Sequence, residues 1–492
     1  MSSASSATPT SDAAIRAGID RSLRHPVMFF LTSGAAWLAV SILLAITASI
    51  KVHCPTFLDG CGFVDFGRVF PAHINTLIYG WGFQSGFGVL IWLMARMSRQ
   101  ECRSAGTILA AGHVWNLGVL LGTLGILCGE GSGMPWMEFP RFAWPVLLLS
   151  YIAIVVWSFI QFRVRAGERT FVAQWYLLGA MMWFPWLSIT ANTLLFCVPG
   201  HPVMAAGINA WFKSGLVFLF FVPSALGAAY YLAPKLTGRP IPSHTLARLG
   251  FWSLAVVAPW AGMQKLAGAP LPVFLPYVGA AATALLAVPL LIAALNLLRT
   301  IFSSEEKLPK CAPMSFTLAG LVSMLVLAAT AVLFNLPGSS LWKVQFSLSG
   351  YGFDMLAVYG VFGFMMFAAV YFMVPRLTNC EWRYPRLINM HFFFSVYGIG
   401  AIVVGAMIGG YVHGSAAEAW LQPWEYVVDT LRPFAAVSTF AWCVILFANV
   451  FFFLHLALMW LRPDRLLAAC KAKTEDRVAQ SQQTEDPQST TP

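Results

Sequence analysis

Twelve long apolar segments recur along the chain, at about 27–50, 69–95, 104–128, 142–162, 171–197, 205–233, 247–268, 271–298, 314–335, 346–374, 387–412 and 434–461. Each is long enough to cross a bilayer as a helix, which takes roughly 20 residues. Apolar residues run continuously through these segments instead of alternating at every second position. They therefore predict helices and exclude the strands of a membrane barrel. The polar connections are too short to hold a soluble domain. The first twenty or so residues are rich in Ser, Ala and Thr, and the last twenty in Gln, Glu, Ser and Thr, so both ends predict disordered tails. The expected organisation is a tail over 1–25, a twelve-helix unit over 26–462 and a tail over 463–492. The first apolar run is too long for a cleavable signal and lacks a small-residue cleavage site.

Composition agrees with this all-α polytopic reading, because 58% of the 492 residues are hydrophobic and only 10% are charged. Charge then sets the expected orientation. Of the 30 Lys and Arg residues, 23 fall in the seven segments on the side of the two termini and 6 on the opposite side; Lys213 lies within a span. This asymmetry predicts cytoplasmic termini. The net charge of +10 follows from topology and excludes a nucleic-acid patch as its cause. Cys102, Cys311, Cys380 and Cys470 fall on the cytoplasmic side and are expected as reduced thiols. Cys54 and Cys61 share the first outer loop, where a disulfide is the expectation and two free thiols the alternative. No Cys-x-x-Cys-His occurs, so no c-type haem is attached to this chain.

Polar residues inside spans are the candidates for chemistry. They are His73, His113, Lys213, Gln264, Lys265, Asp354, His391 and His455. Lys213 and Asp354 each lie about nine residues in from the outer surface, or roughly 13 Å at helical rise. With His73 and Lys265 they share the outer half. His113, His391 and His455 scatter over the inner half and read as hydrogen-bonding residues between helices. His73 is a candidate haem-iron ligand. Gly80, Gly82, Gly86 and Gly88 follow it, and serve equally as a flat face for a macrocycle or as close helix–helix packing. An unpaired acid at mid-membrane costs about 2.5–3.5 kcal/mol on insertion scales. Asp354 is therefore expected to pair with Lys213, or failing that with Lys265; separations beyond about 6 Å would rule out direct pairing.

Several stretches carry a family resemblance. "PAHINTLIYGWG" on helix 2, "QWYLLGAMMWFP", "YYLAPKLTGRPI", "WAGMQKL", "VYFMVPRL" and "NMHFFFSVYGIG" resemble subunit I of the haem–copper oxidases, and most of all the catalytic subunit of cbb-type cytochrome c oxidase. The resemblance covers nearly the whole chain outside the tails and implies that twelve-helix fold. It also exposes a systematic departure. Family helix 7 places two copper-binding histidines where this chain has Gln264 and Lys265, and a cross-linked tyrosine where it has Ala258. The helix 6 copper histidine falls on Lys213 or Ser214. The His-x-His of helix 10 falls on Phe353 and Met355, the first being the high-spin haem position and the second the low-spin haem position.

The resemblance thus implies at most one low-spin haem b, held by His73 and Met355, and no copper. A methionine opposite a histidine is a known axial pair that raises the potential over two imidazoles; a core methionine is the plain alternative. Arg68 and Arg432 could meet haem propionates or be solvated loop residues, with equal weight. The implied role is in respiratory electron transfer in the bacterial inner membrane, with c-type cytochrome subunits as partners, membrane lipid around the chain and no nucleic acid. Two alternatives remain: an active terminal oxidase, or a haem-free structural or ion-path subunit working through Lys213, Lys265 and Asp354.

Overall fold

The structure is a computed structural model and describes residues 9–167, 170–198, 200–303, 307–335, 340–419, 421–461 and 468. Twelve helices long and apolar enough to cross a membrane follow one another: α1 (Asp12–His53), α2 (Phe66–Ser98), α3 (Ala105–Cys128), α4 (Ala143–Arg163), α5 (Val172–Cys197), α6 (Pro202–Thr237), α7 (His244–Leu266), α8 (Phe274–Ile301), α9 (Ala312–Leu333), α10 (Leu348–Thr378), α11 (Pro385–Glu418) and α12 (Trp424–Trp460). No strand occurs among the described residues. The chain is a multi-pass membrane protein. An even number of crossings puts the two ends of the helical unit on one side, called the terminal side below.

Burial sorts the helices into two layers. The most apolar stretches of α2, α6 and α10 are 100%, 94% and 100% buried, against 33–56% in the other nine. Three central helices are therefore enclosed by a ring that closes where α1 packs on α12. Ring helices present one face to lipid, and the central three present none. Each central helix also widens into a π-helical turn, at Thr76–Gly82, Leu216–Phe221 and Leu356–Gly363. Such turns are rare and often accompany functional sites.

Two glycines of α11 set where α10 begins. A Cβ at Gly410 would lie 2.0 Å from the Ser349 backbone nitrogen, and one at Gly414 would lie 1.7 Å from the Lys343 carbonyl oxygen. Neither contact is tolerable, and both obstacles are backbone. The segment leading into α10 can lie against α11 only because these side chains are missing. Gly410→Ala is expected to destabilise the fold by about 1–3 kcal/mol, the usual cost of overpacking. Thermal unfolding in detergent measures it, and an unchanged midpoint would refute this close approach.

Three expectations are corrected. Residues 9–25, assigned to a disordered tail, are helical: the helix containing α1 starts at Pro9. It is anchored where Asp20 accepts a hydrogen bond from Trp92 Nε1 at 2.9 Å and pairs with Arg96 at 3.2 Å. The expected carboxy-terminal tail lies, apart from Ala468, outside the described residues. Second, α7 is not one continuous helix. Its α-helical part ends at Val257 and gives way to short 3-10 turns, Ala258–Trp260 and Met263–Leu266. Gly262 makes the break with a φ of +113°, and a Cβ there would lie 2.6 Å from the Ala210 carbonyl of α6.

Third, the cysteines depart from expectation. Cys54 and Cys61 are both free, the loop between them folding into successive tight turns that end in a short helix after Cys61. Cys380, buried just past the left-handed Asn379 that ends α10, is disulfide-bonded and not the reduced thiol expected. Cys102 and Cys311 are free, and Cys470 lies outside the described residues. Cysteine spacing along a chain does not report which thiols meet in space.

Candidate functional site

The central helices meet around a cavity of about 820 Å³ that opens on the side opposite the termini. Most of its wall is apolar, but its depth is charged. Lys213 Nζ of α6 lies 2.5 Å from Asp354 Oδ2 of α10, and Lys265 Nζ of α7 lies 4.0 Å from Asp354 Oδ1. The side chain of Asp354 is 5% exposed, that of Lys213 18% and that of Lys265 34%. One carboxylate thus stands between two ammonium groups. Lys213 also sits over the Trp136 ring, 5.1 Å from its centroid.

The break in α7 explains how two of these positions reach the cavity. Gln264 and Lys265 lie on the 3-10 turn after Gly262, and the Gln264 side-chain oxygen accepts from the Gly262 backbone N–H at 2.9 Å. Ser214 and Phe353 also line the cavity, whereas Ala258 is fully buried and does not. No histidine or cysteine is among the lining residues. Among the described residues, no group of three or more His, Cys, Asp or Glu side chains could hold a metal ion. The donors present do not fit copper: an ammonium engaged with a carboxylate offers no lone pair, and phenylalanine offers none at all.

Sequence reasoning missed the loop that roofs the cavity. Residues 129–142 fold inward, pinned where Tyr79 donates to the Trp136 carbonyl at 2.6 Å and Asn209 donates to the Pro135 carbonyl at 2.9 Å. This brings Glu138 in, 9% exposed, to accept from Asn75 Nδ2 at 2.5 Å. The cost of burying an acid singles out carboxylates within spans, and a loop carboxylate gives no such signal. The signal available was a long connection holding Trp136, Met137, Glu138 and Phe139 together.

Burial pushes the Glu138 carboxyl up to about 7, against the opposing pull of Asn75 and Lys213. The folded state therefore binds its proton more tightly than the unfolded chain does, whose value is near 4.5. The resulting stabilisation is present below pH 4.5 and is lost as pH rises to about 7. Glu138→Gln is expected to flatten that fall, which amounts to up to about 3 kcal/mol at roughly 1.4 kcal/mol per pH unit. Thermal unfolding of both chains between pH 5 and 7.5 checks it, and parallel curves would sink the assignment.

His73 lies beside the cavity but not in its wall, 1% exposed on α2. Its Nδ1 is 2.9 Å from the Ser41 carbonyl oxygen of α1 and 3.0 Å from the Ser41 hydroxyl; the carbonyl can only accept, which assigns the hydrogen to Nδ1. Ser41 Oγ in turn donates to the His73 carbonyl at 2.9 Å. Nε2 keeps its lone pair and faces α10, where the Tyr351 hydroxyl reaches it at 3.3 Å. The Trp442 ring stands edge-on at 5.2 Å. Met355, 1% exposed, follows Tyr351 by four residues and so shares its face of α10.

Three of the four glycines after His73 serve close packing, while a Cβ at Gly86 would make only ordinary contact with Phe362, at 3.6 Å. A Cβ at Gly80 would meet Trp37, one at Gly82 would meet Phe221 and one at Gly88 would meet Leu31, all at 2.7–2.9 Å. These neighbours lie on two different helices, so the glycines form no single flat face. Arg68 donates to the Leu127 carbonyl at 3.0 Å, at the end of α3, and the exposed Arg432 pairs with Asp429 at 3.1 Å. These partners are not His73, and neither arginine is held at it. His391 Nδ1 bonds the Tyr371 hydroxyl at 2.8 Å across helices. His113 instead bonds the Leu109 carbonyl of its own helix and stacks on Phe29, and His455 packs against Trp382. The reading of all three histidines as interhelical bonds is thus corrected for His113 and His455, which meet other helices through rings.

Comparison with known proteins places this geometry. A bacteroid protein of Bradyrhizobium diazoefficiens described as a cytochrome c oxidase subunit 1 homolog is 25% identical over 446 residues, covering 83% of this chain and 77% of that protein. A cbb3-type cytochrome c oxidase subunit CcoN1 of Stutzerimonas stutzeri is 22% identical over 400 residues, covering 78% and 82%. The fold is that of a heme-copper terminal oxidase dimer solved by cryo-EM, with a TM-score of 0.70, 16% identity, and coverage of 92% of this chain and 84% of that one. Residues 25–460 match the family described as Cytochrome C and Quinol oxidase polypeptide I, and the chain belongs to that family.

Proposed function

We propose that this chain is a subunit I-like component of a respiratory electron-transport chain that carries one low-spin haem b on His73 and Met355 and does not reduce dioxygen. The supporting observation is the Nδ1–H bond from His73 to the Ser41 carbonyl. It fixes the tautomer and aims an unprotonated Nε2 at the helix face that bears Met355, as the outer partner of a metal-bound histidine does. This donor set fits a haem iron, and the Tyr351 hydroxyl is the group an iron would displace from Nε2. When bound, such a haem supplies one-electron transfer. The chain's own part is to hold the imidazole and exclude water, which the buried Trp442 ring and the partly buried Phe70 ring beside His73 favour.

Loss of dioxygen reduction rests on the cavity. Where the family resemblance expects copper and a high-spin haem, Lys213, Asp354 and Lys265 form an ion cluster and Phe353 offers no ligand atom. An active terminal oxidase would need imidazoles there. The charge asymmetry supports cytoplasmic termini in a bacterial inner membrane. The opening on the opposite side suits c-type cytochrome subunits as electron partners. A reduced-minus-oxidised spectrum of the purified chain, with iron and copper analysis, is expected to give one haem b per chain and no copper. Two haems with copper and dioxygen uptake would overturn the proposal, as would absence of haem.

A further inference from the structure

The charged cavity raises a question separate from haem. Two ammonium groups, on Lys213 and Lys265, share the single carboxylate of Asp354. Lys213 holds the shorter contact and also the Trp136 ring, so Lys265 is left with a 4.0 Å contact to the other oxygen of a carboxylate already serving a pair. Asp354 is the acid within 4.0 Å of Lys265, and Lys213 is the like-charged neighbour on that carboxylate. Glu138 does not fill the gap. Its charge acts on Lys213 from the loop side, and near neutrality it is only partly ionised. The cluster thus carries excess positive charge at membrane depth, where an unbalanced ion is costly.

The rest of the cavity says what could balance it. Phe70, Val217, Phe218 and Phe353 make apolar walls around the ion cluster. At the mouth stand Pro202, the first residue of α6, and the loop residues Gly133 and Phe346, the last 78% exposed. A volume of about 820 Å³ is in the range of small-molecule sites. We infer that this cavity binds a small organic monoanion with an apolar body, entering from the side opposite the termini, its acid group on Lys265 and its body along the phenylalanine wall. A bare inorganic ion would leave that wall unused, and a neutral molecule would leave the charge unbalanced. The inference does not rest on the haem reading, since His73 and Met355 lie outside the cavity wall.

Equilibrium dialysis of the full chain in a neutral detergent tests it, with 2-naphthoate as the probe and 2-naphthamide as its neutral counterpart. Micelles without protein give the background. The acid is expected to bind at least about tenfold more tightly than the amide, the effect of one charge-assisted hydrogen bond. Lys265→Gln is expected to remove that preference and Lys265→Arg to keep it. Displacement of 2-naphthoate by added phosphatidylglycerol would identify the natural anion as a lipid headgroup; no displacement would identify a soluble acid. Equal binding of acid and amide by the unaltered chain would overturn the inference, and this comparison decides even if Lys265→Gln does not fold. Acid binding undiminished in a folded Lys265→Gln chain would overturn it as well.

Discussion

Replacing Asp354 with alanine is expected to lower the stability of the folded chain by about 3–5 kcal/mol, the cost of removing one partner from a buried ion pair. The expectation is at the high end because Asp354 serves two lysines. With its carboxylate 2.5 Å from Lys213 and 4.0 Å from Lys265, its loss leaves two like charges facing each other in the same cavity. The reverse change should cost much less. In Lys213→Met the carboxylate keeps Lys265, and the methionine fills the space of the lysine stem. Denaturation of the two variants in detergent distinguishes these cases. A loss for Lys213→Met equal to that for Asp354→Ala would show that Lys265 does not act as a second counter-ion.

His73→Ala is expected to yield a folded chain with no b-type haem spectrum, because no other described histidine combines a fixed Nδ1–H with a free Nε2 facing α10. Met355→His is the finer probe. It should keep the haem and lower its potential by on the order of 0.1 V, within the roughly 0.8 V that axial ligands span, since a second imidazole replaces a thioether. An unchanged potential would return Met355 to the role of a core residue. The pair of results separates a structural role from a ligand role, because loss of packing alone does not move a redox potential in a defined direction.

Some of this was legible before folding. Continuous apolar runs specified twelve spans, because a segment in lipid must satisfy its own backbone and helices do so within the segment. The twelve spans predicted at 27–50 through 434–461 are the twelve found. Motifs such as "PAHINTLIYGWG" and "YYLAPKLTGRPI" located the family. The polar residues within spans were few enough that Lys213, Lys265 and Asp354 stood out on cost alone. The amino-terminal boundary was misread because Ser- and Ala-rich composition reports disorder only when nothing packs against it, and here Trp92 and Arg96 hold Asp20.

What the sequence determined by itself was the number of crossings, the side bias of positive charge and the family motifs, and the resemblance added the expectation that the copper positions lack imidazole. These depend on residue identity and on spacing within one segment. Tertiary structure alone decided which helices are central and that one carboxylate faces two lysines. It also decided that Gly262 breaks α7 so that Gln264 and Lys265 reach the cavity, and that a loop brings Glu138 in beside Asn75. Those facts depend on how close segments far apart in sequence come to each other. Depth along a helix can be counted from its end, but the direction a side chain faces across the bundle is set only when the neighbouring helices pack against it.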